Sequence, residues 1–230
     1  MANPRPSKPT PGTRKRRAIG RPRAGGAHAV GREALIATAC ELLTSLPPSQ
    51  VTRARVAEAQ NVDPSLIRYY FRDRSTLLLA AFQRLTTDYL TMADDDARIK
   101  HSATPEESLR ARVVALLRLN YKYPYFHQLI VDEIANMDVP EAREQLQRLN
   151  DRGLAGYADI LHEGVKDGSL RELDTGLLFI SIIGMTHFFV SGSQIVKTVI
   201  GKRHYDEKLM ETYGQFICDL LLHGVQAARR

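Results

Sequence analysis

Residues able to make directional hydrogen bonds crowd into one short part of the chain. Thr52-Arg53 is followed by Pro64-Ser65-Leu66-Ile67-Arg68-Tyr69-Tyr70-Phe71, then Arg72 and Arg74. Such side chains bind without breaking covalent bonds. A guanidinium pairs bidentately with a guanine edge, and hydroxyls and cations hold phosphates. Arg68 and Tyr69 are therefore expected to read bases, with Leu66 touching a thymine methyl and Pro64 and Ser65 on the same surface. Thr52, Arg53, Tyr70 and Arg74 are expected to hold phosphates. Motifs for other chemistry are missing: the sequence holds no Walker loop, G-x-G-x-x-G, G-x-S-x-G or H-E-x-x-H. The seven histidines are dispersed. No catalytic residue, metal site or cofactor is expected.

The elements that must position those side chains are legible around them. Thr52 suits an N-cap, and the residues to Gln60 suit a helix with Val56 and Ala57 inward. Asn61 tolerates the left-handed conformation of a sharp turn. Asp63-Pro64 restarts a helix, with aspartate as cap and proline at the first helical position. Ile67 and Phe71 lie four apart and face inward with Val62, which leaves Ser65, Leu66, Arg68, Tyr69 and Arg72 outward. Packing does not justify that outer face, whereas a DNA groove does. Helix, tight turn and short polar-faced helix form a helix-turn-helix.

The string resembles the TetR family of bacterial transcriptional regulators. The features that match are a helix from Arg32 to Leu46, Thr52 leading a helix with Val56-Ala57, the Asn61-Val62 turn, and Asp63 to Phe71 closing on Tyr69-Tyr70-Phe71, then Arg74. The resemblance is close over residues 30 to 80 and loose beyond. Three positions depart from it: Asn61 replaces the usual glycine, Arg68 a common tyrosine and Arg74 a common lysine. The resemblance implies a homodimer that binds a near-palindromic double-stranded DNA operator, usually as a repressor, and lets go when a small-molecule effector binds. The alternative is a helical ligand-binding or scaffold protein whose helix-turn-helix is only structural. The Arg68-Tyr69 face and the basic tail would be pointless in a scaffold.

Charge is distributed unevenly along the 230 residues. Residues 1 to 32 carry nine Lys/Arg and no acid, leaving 23 basic against 26 acidic residues elsewhere. Residues 1 to 28, rich in Pro, Gly, Ala and Arg, are expected to be a disordered arm. Within it, Arg16, Arg17, Arg21 and Arg23 would seek phosphates or a narrow minor groove, the Gly20-Arg21-Pro22-Arg23 core resembling an AT-hook. Two distant cysteines, Cys40 and Cys218, read as buried free thiols in a reducing compartment. There is no apolar signal segment, and the Gly176 to Val190 run is shorter than the ~20 residues a bilayer requires. A cytoplasmic protein that binds no membrane is expected.

The rest of the chain reads as helices, so the fold class is all-α with about nine. Residues 29–76 would form the helix-turn-helix domain and 77–230 a larger helical domain. A helix from Asp73 is expected to close near Asp94-Asp95-Asp96, another precedes Pro124, a further one after it carries Leu129, Ile130, Ile134 and Met137, and one helix spans Asp174 to Val199. Aromatic residues with polar tips gather in the middle, and apolar walls with a few polar groups line small-molecule cavities. The candidate effector pocket is Tyr121, Tyr125, Phe126, His127, His187 and Phe188, the effector itself being implied by the resemblance. His127 and His187 could meet carboxylates such as Asp132 or Glu133, although a lone helical histidine is more often a hydrogen-bonded core or surface residue. The last helix has a stripe of Leu209, Tyr213, Phe216, Ile217, Leu220, Leu221 and Val225, with Leu222 outside it. The resemblance implies a four-helix dimer interface from the last two helices, with Phe189, Phe216, Ile217, Leu220 and Leu221 in it.

Overall fold

The computed structural model describes residues 30–99, 104–201 and 206–225, with side chains for all of these but residues 92–99 and 225. The basic arm, with Arg16, Arg17, Arg21 and Arg23, lies outside the described residues. Helices α1 (Arg32–Leu42), α2 (Arg53–Ala59) and α3 (Pro64–Tyr70) precede the long α4 (Arg74–Ile99). They are followed by α5 (Pro105–Lys122), α6 (Phe126–Gln128), α7 (Pro140–Asp167), α8 (Thr175–Ser191), α9 (Ser193–Ile200) and α10 (Glu207–Val225). The described residues contain no strand.

Local chemistry starts and stops these helices. Thr104 and Glu107 form a reciprocal capping box on α5, with Pro105 in its first turn. Asp174 caps α8 through the Leu177 amide at 2.8 Å. Gly168, at φ 79, closes α7 in the left-handed region. The caps on α5 and α8 matter because an uncapped first turn leaves amides unsatisfied.

A large apolar core runs through the molecule, with a second, smaller cluster of Leu117, Phe189, Val190, Val196 and Met210. Leu35, Ala39, Leu43, Val56, Ile67, Phe71 and Leu78 close the N-terminal part, while α5 puts Leu109, Val113 and Leu116 at the centre of the body. Both cysteines are buried and free. Desolvation pushes the Cys40 thiol up to about 12, so it is unreactive at neutral pH.

Three details differ from the sequence expectation. The helix expected from Asp174 to Val199 breaks at Gly192 into α8 and α9, which meet at 84°. The Gly192 amide donates to the Phe188 carbonyl at 2.8 Å, and a β-carbon there would stand 2.8 Å from that oxygen, so only glycine fits. The expected helix after Pro124 is instead α6, a π-helical turn (Leu129–Glu133) and a 3-10 turn (Ile134–Asn136). Finally, α4 continues past the acidic run to Ile99.

Candidate nucleic-acid interface and ligand cavity

The reading head is built by complementary caps. Thr52 Oγ1 accepts from the Arg55 amide at 3.2 Å at the start of α2. Asn61 takes φ 51, and two bonds close the turn: Asn61 N to Glu58 O and Val62 N to Ala57 O, both 3.0 Å. This pair of bonds is a Schellman arrangement, with asparagine standing in for the glycine. Asp63 then accepts from the Ser65 amide at 2.7 Å. Hydrogen bonds from Ser65 hold the Asp63 carboxyl below its ordinary range, so the cap remains ionised.

On α3 the two faces separate cleanly. Ile67 and Phe71 are fully buried, whereas Ser65, Arg68 and Arg72 are exposed and Tyr69 is 81% exposed. Leu66 is half-buried, and Pro64 is exposed at the helix start. Tyr70 is half-buried, packed on the core and edge-on to Tyr69 with centroids 5.0 Å apart. The half-buried Arg53 sends Nη1 to the carbonyls of Phe71 and Arg72, tying α2 to the end of α3. The exposed Arg55, bonded to Gln50 at 3.3 Å, adds a cation on α2 that was missed as a candidate. Arg72, paired with Asp73 at 3.3 Å, adds another that was read as outward but not nominated. Their only sequence signal was position on an outward helical face.

Arg74, expected to hold a phosphate, is bonded within the protein. Its Nε donates to Val51 O at 3.2 Å and its Nη1 to Glu133 Oε2 at 2.9 Å. Nη2 donates to Glu133 Oε1 at 2.6 Å and to the Pro48 carbonyl. The guanidinium is thereby committed inside the protein. Glu133 is the last residue of the π-helical turn, so Arg74 locks the start of α4 to that turn.

A cavity of about 160 Å³ lies behind that turn. It is walled by Tyr89 of α4, Leu116, Leu119 and Asn120 of α5, Phe126, His127 and Ile130 near α6, Leu146, Leu149, Asn150 and Gly153 of α7, and Phe179, Ile183 and His187 of α8. Of the six residues nominated from sequence, Phe126, His127 and His187 line it. Tyr125 lies in a neighbouring surface cleft, whose walls also include His127 and His187. Tyr121 and Phe188 line neither space and are exposed. Neither histidine is paired with Asp132 or Glu133, and Glu133 is taken by Arg74. The two imidazoles stack on one another, with ring centroids 3.9 Å apart. Burial, and secondarily the His127 ring, lower His187 to about 4, so it is neutral near pH 7.

The nominated interface residues divide. Phe189 and Ile217 are 2% and 1% exposed, buried inside their own chain, with Phe189 stacked on Tyr213 at 3.8 Å. Leu221 is half-buried, and Leu222, read as outside the apolar stripe, is buried. Phe216 and Leu220 are 62% and 55% exposed. On α8 the outward apolar residues are Leu177, Ile180 and Phe188. The inward face of α10 is thus about one residue out of phase with the expected stripe, a rotation of about 100° on a helix.

Residues 102–230 match a family model described as "Tetracyclin repressor-like, C-terminal domain". No curated protein matches the chain. Solved structures of similar fold include a ketosteroid transcriptional regulator of Mycobacterium tuberculosis, at a TM-score of 0.63 and 16% identity over 85% of this chain and 94% of that one. The regulator FadR of Bacillus subtilis, in complex with stearoyl-CoA, gives 0.62 and 21% over 84% and 98%. A regulator of Saccharomonospora viridis in complex with choline gives 0.63 and 19% over 85% and 96%.

Proposed function

We propose, for a chain that belongs to the TetR family of transcriptional regulators, that it represses transcription from a near-palindromic operator and is released by a small-molecule effector. The observation that carries the DNA-binding reading is α3: a capped seven-residue helix, one face fully buried, whose other face offers Arg68 and a largely exposed Tyr69. Arg68 reads a guanine, and Tyr69, Ser65, Pro64 and Leu66 complete the base-reading surface. Thr52, Tyr70, the outer edge of Arg53, and Arg55 and Arg72 hold phosphates and fix register. The arm adds phosphate or minor-groove contacts through Arg16, Arg17, Arg21 and Arg23.

Two copies associate through the outward apolar faces of α8 and α10, led by Phe216, Leu220, Ile180 and Phe188. The two reading heads then reach successive major grooves about 34–36 Å apart. The effector occupies the cavity behind the π-helical turn. Two of the solved relatives hold small molecules, stearoyl-CoA in one and choline in the other, which supports a ligand-responsive body. The protein acts in the cytoplasm by binding, without catalysis. Among the described residues no single helix is long and apolar enough to cross a membrane.

The test is selection of bound duplexes from a random pool, followed by Arg68→Ala. The variant should lose about 1–3 kcal/mol of preference for its guanine while keeping its affinity for random duplex. Unchanged selectivity would reject α3 as the reader.

A further inference from the structure

The walls of the cavity also constrain the chemistry of its occupant. Among the described residues that line it there is no Lys, Arg, Asp or Glu; the polar groups are Tyr89, Asn120, Asn150 and the two imidazoles. Asn120 is itself committed, its Nδ2 donating to Thr186 Oγ1 at 3.3 Å. An ion taken from water into such a space loses its hydration and gains no counter-charge, which is costly. The nearby guanidinium of Arg112 does not line the space; it stacks over the Tyr157 ring, 5.7 Å from the centroid. The neutral His187 imidazole, by contrast, offers one N–H and one lone pair, so it can both donate to and accept from an uncharged polar group. Size is the second constraint. About 160 Å³ is near the ~150 Å³ of an engineered apolar cavity that binds benzene.

We propose that this cavity takes a compact, uncharged, mainly apolar molecule, a single ring or short branched chain of about six to ten non-hydrogen atoms, with one hydroxyl or carbonyl docked on the His127–His187 pair. The inference rests on the ligand-responsive reading above and narrows it to a chemical class. The imidazoles support the stated orientation because they also line the adjacent surface cleft, with Tyr125 and Asp132. They form the partition between the inside and solvent. The polar end of the ligand therefore meets the partition, and its apolar body lies against Phe179, Ile183 and Leu149.

The test uses the full chain and a size-matched set of probes, 4-ethylphenol, ethylbenzene, 4-ethylbenzoate and 4-ethylbenzylammonium, with decanoate as a long anionic chain. Binding is read by calorimetry and thermal shift at neutral pH, and located by the imidazole NMR signals of His127 and His187. 4-Ethylphenol should bind at least tenfold more tightly than either ionised ring or decanoate, and should displace both imidazole signals. His187→Leu should erase the preference for 4-ethylphenol over ethylbenzene while leaving ethylbenzene bound. Should that variant fail to fold, Ile183→Phe, which fills the space, should weaken every neutral probe. Tighter binding of an anion or cation, or no binding of any neutral probe, would overturn the proposal. Operator binding by the ligand-free chain is measured separately by anisotropy: no binding to any selected duplex would reject the regulator and leave the ligand class standing, while an ionic preference would do the reverse.

Discussion

Replacing Arg74 with alanine separates two roles that a sequence alone cannot tell apart. As a strut it holds Val51 O, Pro48 O and both oxygens of Glu133. The pair is partly buried, the side chains being 32% and 19% exposed. Removing it should cost more than the 0–1 kcal/mol of a surface pair and less than the 3–5 of a fully buried one, or about 2 kcal/mol. Two orphaned carbonyls add about 1 kcal/mol each. Urea denaturation of Arg74→Ala should thus show a drop of about 3–4 kcal/mol. Glu133→Ala, which leaves the carbonyl bonds in place, should drop by about 1–2. The double variant should be no worse than Arg74→Ala, giving a coupling of about 1–2 kcal/mol. Duplex affinity, followed by fluorescence anisotropy across a salt series, supplies the second readout. A strut variant shifts affinity without changing the salt slope, because every phosphate keeps its cation. A phosphate ligand would lower the slope by about 0.9. A slope reduced by that amount in Arg74→Ala, with Glu133→Ala indistinguishable from the parent chain, would refute the strut.

Other outcomes follow from the same geometry. His187 has a folded-state value depressed to about 4 from 6.5, so the unfolded chain takes up its proton first as pH falls. Its contribution to stability is complete above pH 6.5 and disappears between about 6.5 and 4; with solvent screening the change is about 1–2 kcal/mol, and His187→Gln should flatten that limb of the denaturation profile. Phe216→Glu and Leu220→Glu should yield monomers of near-normal thermal stability by light scattering, whereas Ile217→Glu buries a charge and should destabilise the chain by several kcal/mol. Removing residues 1 to 26 deletes up to eight cations, so the salt slope of duplex binding should flatten by about 0.9 for each phosphate that the arm no longer neutralises.

The reading head was legible because its signals are local. Thr52 and Asp63 cap amides within three residues, Asn61 and Pro64 act through their own backbone angles, and the burial of Ile67 and Phe71 follows from their spacing of four. Whatever depends on distant partners was not legible. Glu133 stands 59 positions from Arg74, so nothing beside Arg74 announces its partner, and a cation at the edge of a DNA-reading unit reads naturally as a phosphate ligand. The phase of α10 was missed because Phe216, Ile217, Leu220, Leu221 and Leu222 are nearly continuous, and such a run gives no sharp stripe for a period of 3.6. Gly192 carries no local signal of a break, because the close approach of the Phe188 carbonyl to it exists only in the fold. In the cavity, the aromatic cluster pointed to Phe126 and His127 but not to the α7 wall of Leu146, Leu149 and Gly153. That wall exists only once α7 folds across α5 and α8.

The internal pairing of Arg74 also bears on how fast the protein finds DNA. A cation matched to Glu133 contributes almost no field beyond the roughly 8 Å over which salt screens exposed charges. The chain beyond residue 32 is net acidic, 23 basic against 26 acidic residues, and would be repelled by a duplex at a distance. Arg32 is itself paired with Glu33, so under the proposed function long-range attraction falls to the eight cations of residues 1 to 26. On that proposal, encounter rate is a property of the arm, and residence time a property of α3. Selection can tune the two separately, by lengthening or trimming the arm or by exchanging a residue such as Arg68.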